Sequence, residues 1–199
     1  KKRLSAVEIL SLTNNVNGIE LTHGEEAQDL FDTYYDWLSY EVLNLNPNHL
    51  FIPYGSGVLF RNILEIHMKE LKSSNNSKRY FGNRKILKDC SFYGARTQKK
   101  RFDSRMYCLV SFFDAIKVQD SAKLLNKNSV GENSGVFEIL EDNNLINTAM
   151  KIAKENKIAT CESGIAGLTL FLQNEFKLNI QKKQKIVIIN TGVIKPTIT

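Results

Sequence analysis

The stretch His49-Leu50-Phe51-Ile52-Pro53-Tyr54-Gly55-Ser56-Gly57-Val58-Leu59 decides the fold class. Its first six residues form a compact apolar run of strand length, Gly55-Ser56-Gly57 reads as a turn, and a helix is predicted from Val58 to about Leu71. Outward from this unit the same alternation recurs. Strands are predicted at Ser91–Ala95, Gly135–Ile139 and Lys185–Ile189, with a short one at Gly18–Leu21. Helices are predicted over Lys2–Leu12, Glu25–Leu43, Asn143–Glu155 and Ser163–Leu172. In the second of these, Ala27, Leu30, Phe31, Tyr34 and Leu38 recur at three- and four-residue spacing and make one apolar face opposite an acidic one. Apolar strands alternating with helices predict the α/β class: three layers, a mostly parallel sheet with helices on both faces. From Arg96 to Ser134 the pattern supports no particular element.

Size and composition narrow the function classes. The 199 residues are enough for one ordinary domain with a real core, and 42% hydrophobic with 24% charged residues is ordinary globular composition. The longest apolar runs, such as Lys185-Ile-Val-Ile-Ile189, are far short of the roughly 20 residues of a membrane span, so no membrane partner is expected. The N-terminus has Glu8 inside a mixed helical pattern and not a signal core, which predicts a cytoplasmic protein. Cys90, Cys108 and Cys161 lie far apart without metal-ligand or disulfide spacing, so no metal is expected and buried thiols are. The net charge of +6 and the runs Lys99-Lys100-Arg101 and Lys182-Lys183 lack interleaved aromatic residues, and read as solvated loops and not as a nucleic-acid surface.

Three segments carry chemistry. Gly55-Ser56-Gly57 sits at the carboxyl end of a strand and the start of a helix, where unpaired N–H groups and the helix dipole favour an anion. Taken alone, the tripeptide fits a ligand-free strand-to-helix turn equally well. Cys161-Glu162-Ser163-Gly164-Ile165-Ala166-Gly167 opens a second helix towards the same crevice, although Ala166 and Gly167 read first as close-packing residues. Ile186-Val-Ile-Ile-Asn-Thr191-Gly192 is an apolar strand, read as central and buried on both faces, that ends in a polar pair where open α/β sheets bind ligands. Thr191 there fits a ligand contact and a turn-capping hydroxyl equally.

Together and in this order the segments resemble the large domain of the tryptophan-synthase-β-like (fold type II) pyridoxal-phosphate enzymes, which include threonine synthases, serine/threonine dehydratases and cysteine synthases. FIPYGSGVLFRNI resembles the family's strand and phosphate-cradling glycine loop, CESGIAGLTLF its Ser-Gly helix start, and KIVIINTG its last core strand, which ends beside the pyridine nitrogen. EILEDNNLINTAMKIAKEN and the N-terminal NGIELTHGEEAQDL are similar to the segments around them, so the resemblance covers most of the chain outside Arg96–Ser134. The chain departs from the pattern in having Val58 where a third glycine is common, and in lacking the family's Gly-x-x-Thr-x-x-x-Glu helix.

The resemblance implies pyridoxal 5'-phosphate as cofactor, held noncovalently by Gly55, Ser56, Gly57 and Val58 at the phosphate, by Glu162 and Ser163, and by Thr191 at the ring nitrogen. It implies β-elimination or β/γ-replacement on a small-molecule amino acid, in a protein that forms a homodimer. In the family the lysine that holds the cofactor covalently lies far upstream of the glycine loop. Only 54 residues precede Gly55 here, and no lysine matches that motif. The expectation is therefore that residues 1–199 are the large cofactor-binding domain, with 1–45 a remnant of the junction to a missing N-terminal segment, and that no residue of this chain is catalytic, so that it is inactive alone. The alternative is a noncatalytic phosphate- or nucleotide-binding α/β domain; no acidic residue ends a strand about 20 residues past the glycine turn, where a ribose-binding group would stand.

Overall fold

The computed structural model describes residues 25–55, 57–73, 84–97, 133–140, 143–174, 178, 180, 181 and 183–192. Helix Lys2–Leu12 and strand Gly18–Leu21 of the sequence reading, and most of Arg96–Ser134, lie outside these residues. In chain order the elements are α1 (Glu25–Asn44), β1 (His49–Pro53), α2 (Val58–Lys72), α3 (Arg84–Lys88), β2 (Ser91–Arg96), β3 (Gly135–Glu138), α4 (Asn143–Glu155), α5 (Ala166–Asn174) and β4 (Ile186–Ile188). The four strands form one sheet in the order β3-β2-β1-β4, and every pairing among them is parallel.

A parallel sheet needs cover on both faces, and the alternation of side chains along β1 supplies two cores. Leu50 and Ile52 point to one face and join Phe60, Ile63 and Leu64 of α2, Val42 and Leu43 of α1, and Phe92 of β2. Phe51 points to the other, where it meets Tyr93, Ile146 of α4, and Ala166 and Leu170 of α5. Phe51 stacks on Tyr93 with ring centroids 4.4 Å apart and takes the edge of Phe171 at 5.4 Å. β1 is buried at all five positions, which is why His49–Pro53 carries no alternation of polar and apolar residues in the sequence. The three layers follow from this one strand.

Of the apolar face read in α1, Leu38 packs against the core, while the side chains of Ala27, Leu30, Phe31 and Tyr34 lie outside the described residues. In α1, Ser39, Val42 and Leu43 are buried, Tyr35 and Leu38 pack beside them, and the far side carries Trp37, 73% exposed and donating to Glu41 Oε1 at 2.8 Å. In α4, Ile146, Ala149 and Ala153 make the inward stripe. This helix ends in a Schellman turn, with Ile158 N–H on Ala153 O at 2.8 Å and Lys157 N–H on Lys154 O at 3.0 Å. Its left-handed residue is Lys157, at φ 57°, where glycine is the usual occupant.

Two readings change. The strand before Thr191 was expected to be central; β4 instead ends the order of the described strands, pairs only with β1 among them, and is half-buried at all three positions. An unbroken apolar run signals burial, but it cannot say how many neighbours a strand has. Helix α5 begins at Ala166 and not at Ser163, because residues 162–165 form turns that Ile165 N–H closes on Cys161 O at 3.0 Å. The short helix α3 went unread; its five residues are too few to show a period.

Candidate functional site

The glycine loop continues β1 by one more ladder bond, Tyr54 N–H to Ala95 O at 2.7 Å, before the chain leaves the sheet. Gly57 is the N-cap of α2 at φ 82° and ψ −8°, a left-handed conformation that L side chains avoid. A Cβ there would also stand 2.6 Å from the Tyr54 hydroxyl oxygen, whose ring fills the space between Gly57 and Gly94. Backbone and packing together therefore require glycine at 57.

Neither reason applies to Gly55. It is absent from the left-handed residues, and a Cβ built on it would meet nothing within 4 Å among the described residues. The backbone N–H groups of Gly55 and Gly57 find no acceptor among the described residues. The first turn of α2 carries no acidic side chain, while Lys69 and Lys72 occupy its last turn, so the dipole's positive end at the loop is left without a carboxylate of its own helix. Val58 is the half-buried first residue of α2. Ser56 lies outside the described residues.

The other two segments meet one another at the carboxyl end of β4. Glu162 and Ser163 are half-buried in the turn ahead of α5. Thr191 is exposed, and its N–H approaches Gly164 O at 3.4 Å. Gly164 is needed for this crossing: a Cβ on it would lie 2.6 Å from Gly192 O, 3.0 Å from Thr160 Oγ1 and 3.1 Å from Asn190 Oδ1. Asn190, the first residue of the polar pair that follows β4, ties the crossing together. Its Oδ1 accepts from Thr160 Oγ1 at 2.7 Å and from Gly192 N–H at 3.1 Å, and its Nδ2 donates to Ala159 O at 2.9 Å. The half-buried Cys161 adds Sγ–H to Gly192 O at 3.5 Å and accepts Gly164 N–H at 3.4 Å.

Parallel register brings these segments to one edge. Phe51 pairs with Ile188, and Ile189 N–H bonds to Phe51 O at 2.9 Å, so residues 190–192 leave β4 beside the point where Tyr54 and Gly55 leave β1. Gly167 completes the arrangement, since a Cβ on it would lie 3.1 Å from Phe51 O; the first turn of α5 rests on the β1 backbone. The close-packing reading of Gly167 thus matches the structure. Of the cysteines, Cys90 is buried, which pushes its thiol well above the usual range, and Cys108 lies outside the described residues. Among the described residues no cluster of metal-ligating side chains occurs, and no helix is long and apolar enough to cross a membrane.

One further charged pair stands on the same edge and was not read from the sequence. Arg96, the last residue of β2, donates from Nη2 to Glu138 Oε1 of β3 at 2.7 Å. Lone charges at strand ends carry no motif, and only their place in the register reveals them.

No protein-family model and no curated protein matches the sequence. Among solved structures, the chain is similar to an L-serine ammonia-lyase from the fungus Rhizomucor miehei, with a TM-score of 0.51 and 14% identity over 79% of this chain and 49% of that one. Serine racemase from Dictyostelium discoideum gives 0.49 and 19% identity over 79% and 48%, and maize serine racemase 0.47 and 18% over 82% and 49%. The chain spans about half the length of these proteins. Its three-layer, parallel α/β fold is that of the fungal L-serine ammonia-lyase.

Proposed function

We propose that the carboxyl edge formed by Gly55–Gly57, Glu162–Ser163 and Thr191 holds pyridoxal 5'-phosphate, in a protein that acts on amino acids by β-elimination or β/γ-replacement. The observation that carries this reading is Gly55: a glycine that neither a left-handed backbone nor any described neighbour requires, beside two N–H groups without acceptors among the described residues. A phosphate group accounts for all three features, because it needs close approach of bare backbone and donors at a helix N-terminus. A fold neighbour that is an L-serine ammonia-lyase supports an amino acid as the ligand.

The residues present fit the cofactor. Gly55 and Gly57 would hold the phosphate through their N–H groups, noncovalently, with Val58 opening the helix behind them. The Thr191 hydroxyl would hydrogen-bond the ring nitrogen, and a hydroxyl partner, unlike a carboxylate, leaves that nitrogen unprotonated. Glu162 and Ser163 would border the ring from the turn ahead of α5. When bound, the cofactor supplies the electron sink for chemistry at the amino acid's α-carbon. The chain's part is to place it at the edge and to orient it.

Gly55→Val tests this reading, because the new side chain starts from a Cβ that meets no described residue and blocks the approach of a phosphate. The variant is expected to melt within a degree or two of the wild type and to bind pyridoxal 5'-phosphate at least about tenfold more weakly by calorimetric titration. Equal affinity in the two proteins would refute the proposed site.

A further inference from the structure

Arg96 and Glu138 close β2 and β3 as register partners, at the carboxyl edge that also carries the glycine loop. Side chains along β2 alternate between faces. Phe92 lies in the core beneath α2, and a Cβ on Gly94 would meet Tyr54 and Phe60 on that same face. Arg96, two residues on, therefore points to the face on which the glycine loop turns into α2. It is also next in the chain to Ala95, which accepts the Tyr54 N–H at the start of that loop.

The pair is not built as a structural staple is. A guanidinium offers five N–H donors and matches a carboxylate best with two parallel bonds. The Arg96 side chain makes a single bond, to Glu138, and its Nε is buried without an acceptor among the described residues. Arg96 is 22% and Glu138 39% exposed. The part-buried pair leaves guanidinium donors unused, so a carboxylate that offers two parallel bonds can take the place of Glu138. Charged side chains at the carboxyl ends of parallel strands face the region where such sheets bind ligands.

Resting on the reading of this edge as the cofactor site, we infer that Arg96 is a specificity-determining residue that selects amino acids carrying a second anionic group, carboxylate or phosphate. Glu138 occupies the guanidinium until that group displaces it. A neutral amino acid leaves the pair intact and gains nothing from it, whereas a planar carboxylate or a phosphate gains charge-assisted, two-pronged bonds from Arg96.

The test compares L-serine, L-aspartate and O-phospho-L-serine as ligands of the full chain by calorimetric titration, for wild type, R96Q and E138Q, with pyridoxal 5'-phosphate titrated in parallel. Wild type is expected to bind at least one anionic ligand about tenfold or more tighter than L-serine. R96Q should abolish that preference, and E138Q should widen it, because the competing carboxylate is gone. Both variants break the same ion pair, so a merely structural role would move them in the same direction, and that outcome overturns the inference. Absence of a preference in wild type, or of binding by all three amino acids, overturns it too. Preference for O-phospho-L-serine over L-aspartate assigns phosphate as the recognised group, and the reverse order assigns carboxylate. Cofactor affinity should stay within about twofold across the three proteins. Loss of cofactor binding in wild type refutes the cofactor site and leaves the preference, with its opposite response to R96Q and E138Q, to be judged from the same titrations.

Discussion

Lowering the pH from 7 to 4 is expected to remove about 3 kcal/mol of folding stability through His67 alone. The imidazole is fully buried in α2, packs edge-on against Phe92 at 4.9 Å, and has no hydrogen-bond partner for either ring nitrogen among the described residues. Burial therefore opposes its protonation and pushes its pKa down from 6.5 to about 4. Above the upper value both folded and unfolded chains are neutral here and nothing is lost. Between the two values only the unfolded chain takes the proton, so stability falls as pH falls, and below about 4 the loss levels off. Urea unfolding of wild type and His67→Leu at pH 7, 5.5 and 4.5 reads this directly. The variant keeps apolar volume and removes a buried group without partners, so it should be near-neutral at pH 7 and lack most of the wild-type slope. An equal slope in both proteins would assign the acid sensitivity to other groups.

The second large effect is expected at Gly164. A methyl group there has to displace the backbone carbonyl of Gly192, 2.6 Å away, and the Thr160–Asn190 bond offers no room on the other side. Overpacking against backbone costs about 1–3 kcal/mol, with the upper end expected here because no flexible side chain can yield. The same displacement moves Thr191, whose N–H rests on Gly164 O, so Gly164→Ala should lose both stability and cofactor affinity. Chemical denaturation and cofactor titration of one preparation report the two losses. A variant of unchanged stability would show that the crossing of residues 160–164 with 190–192 relaxes freely.

These effects show how much the sequence could disclose. The unit from His49 to Leu59 was legible because β1 is buried at every position and Gly57 needs a left-handed backbone, and both demands leave marks in residue type. Helix α4 was legible to its ends because Ile146, Ala149 and Ala153 keep the helical period over its whole length. The position of β4 in the sheet was not legible, since half-burial and full burial both allow Ile and Val. Gly164 was read as part of a helix start, yet its role is set by Gly192, far along the chain, and no local pattern encodes that contact. His67 and Asn62 are polar residues within an apolar helix face, and Asn62 meets Ser39 and Asp36 across the helix pair. Arg96 and Glu138 belong to the same class: each is an ordinary exposed charge in sequence, and the parallel register alone makes them neighbours.

A crystal structure of the chain grown with pyridoxal 5'-phosphate decides whether the carboxyl edge of this sheet is a cofactor site. Phosphate oxygens are expected within about 3 Å of the Gly55 and Gly57 nitrogens, and the ring nitrogen at similar distance from the Thr191 hydroxyl. Cofactor density elsewhere on the molecule, with protein acceptors occupying those two N–H groups, would contradict the proposed site.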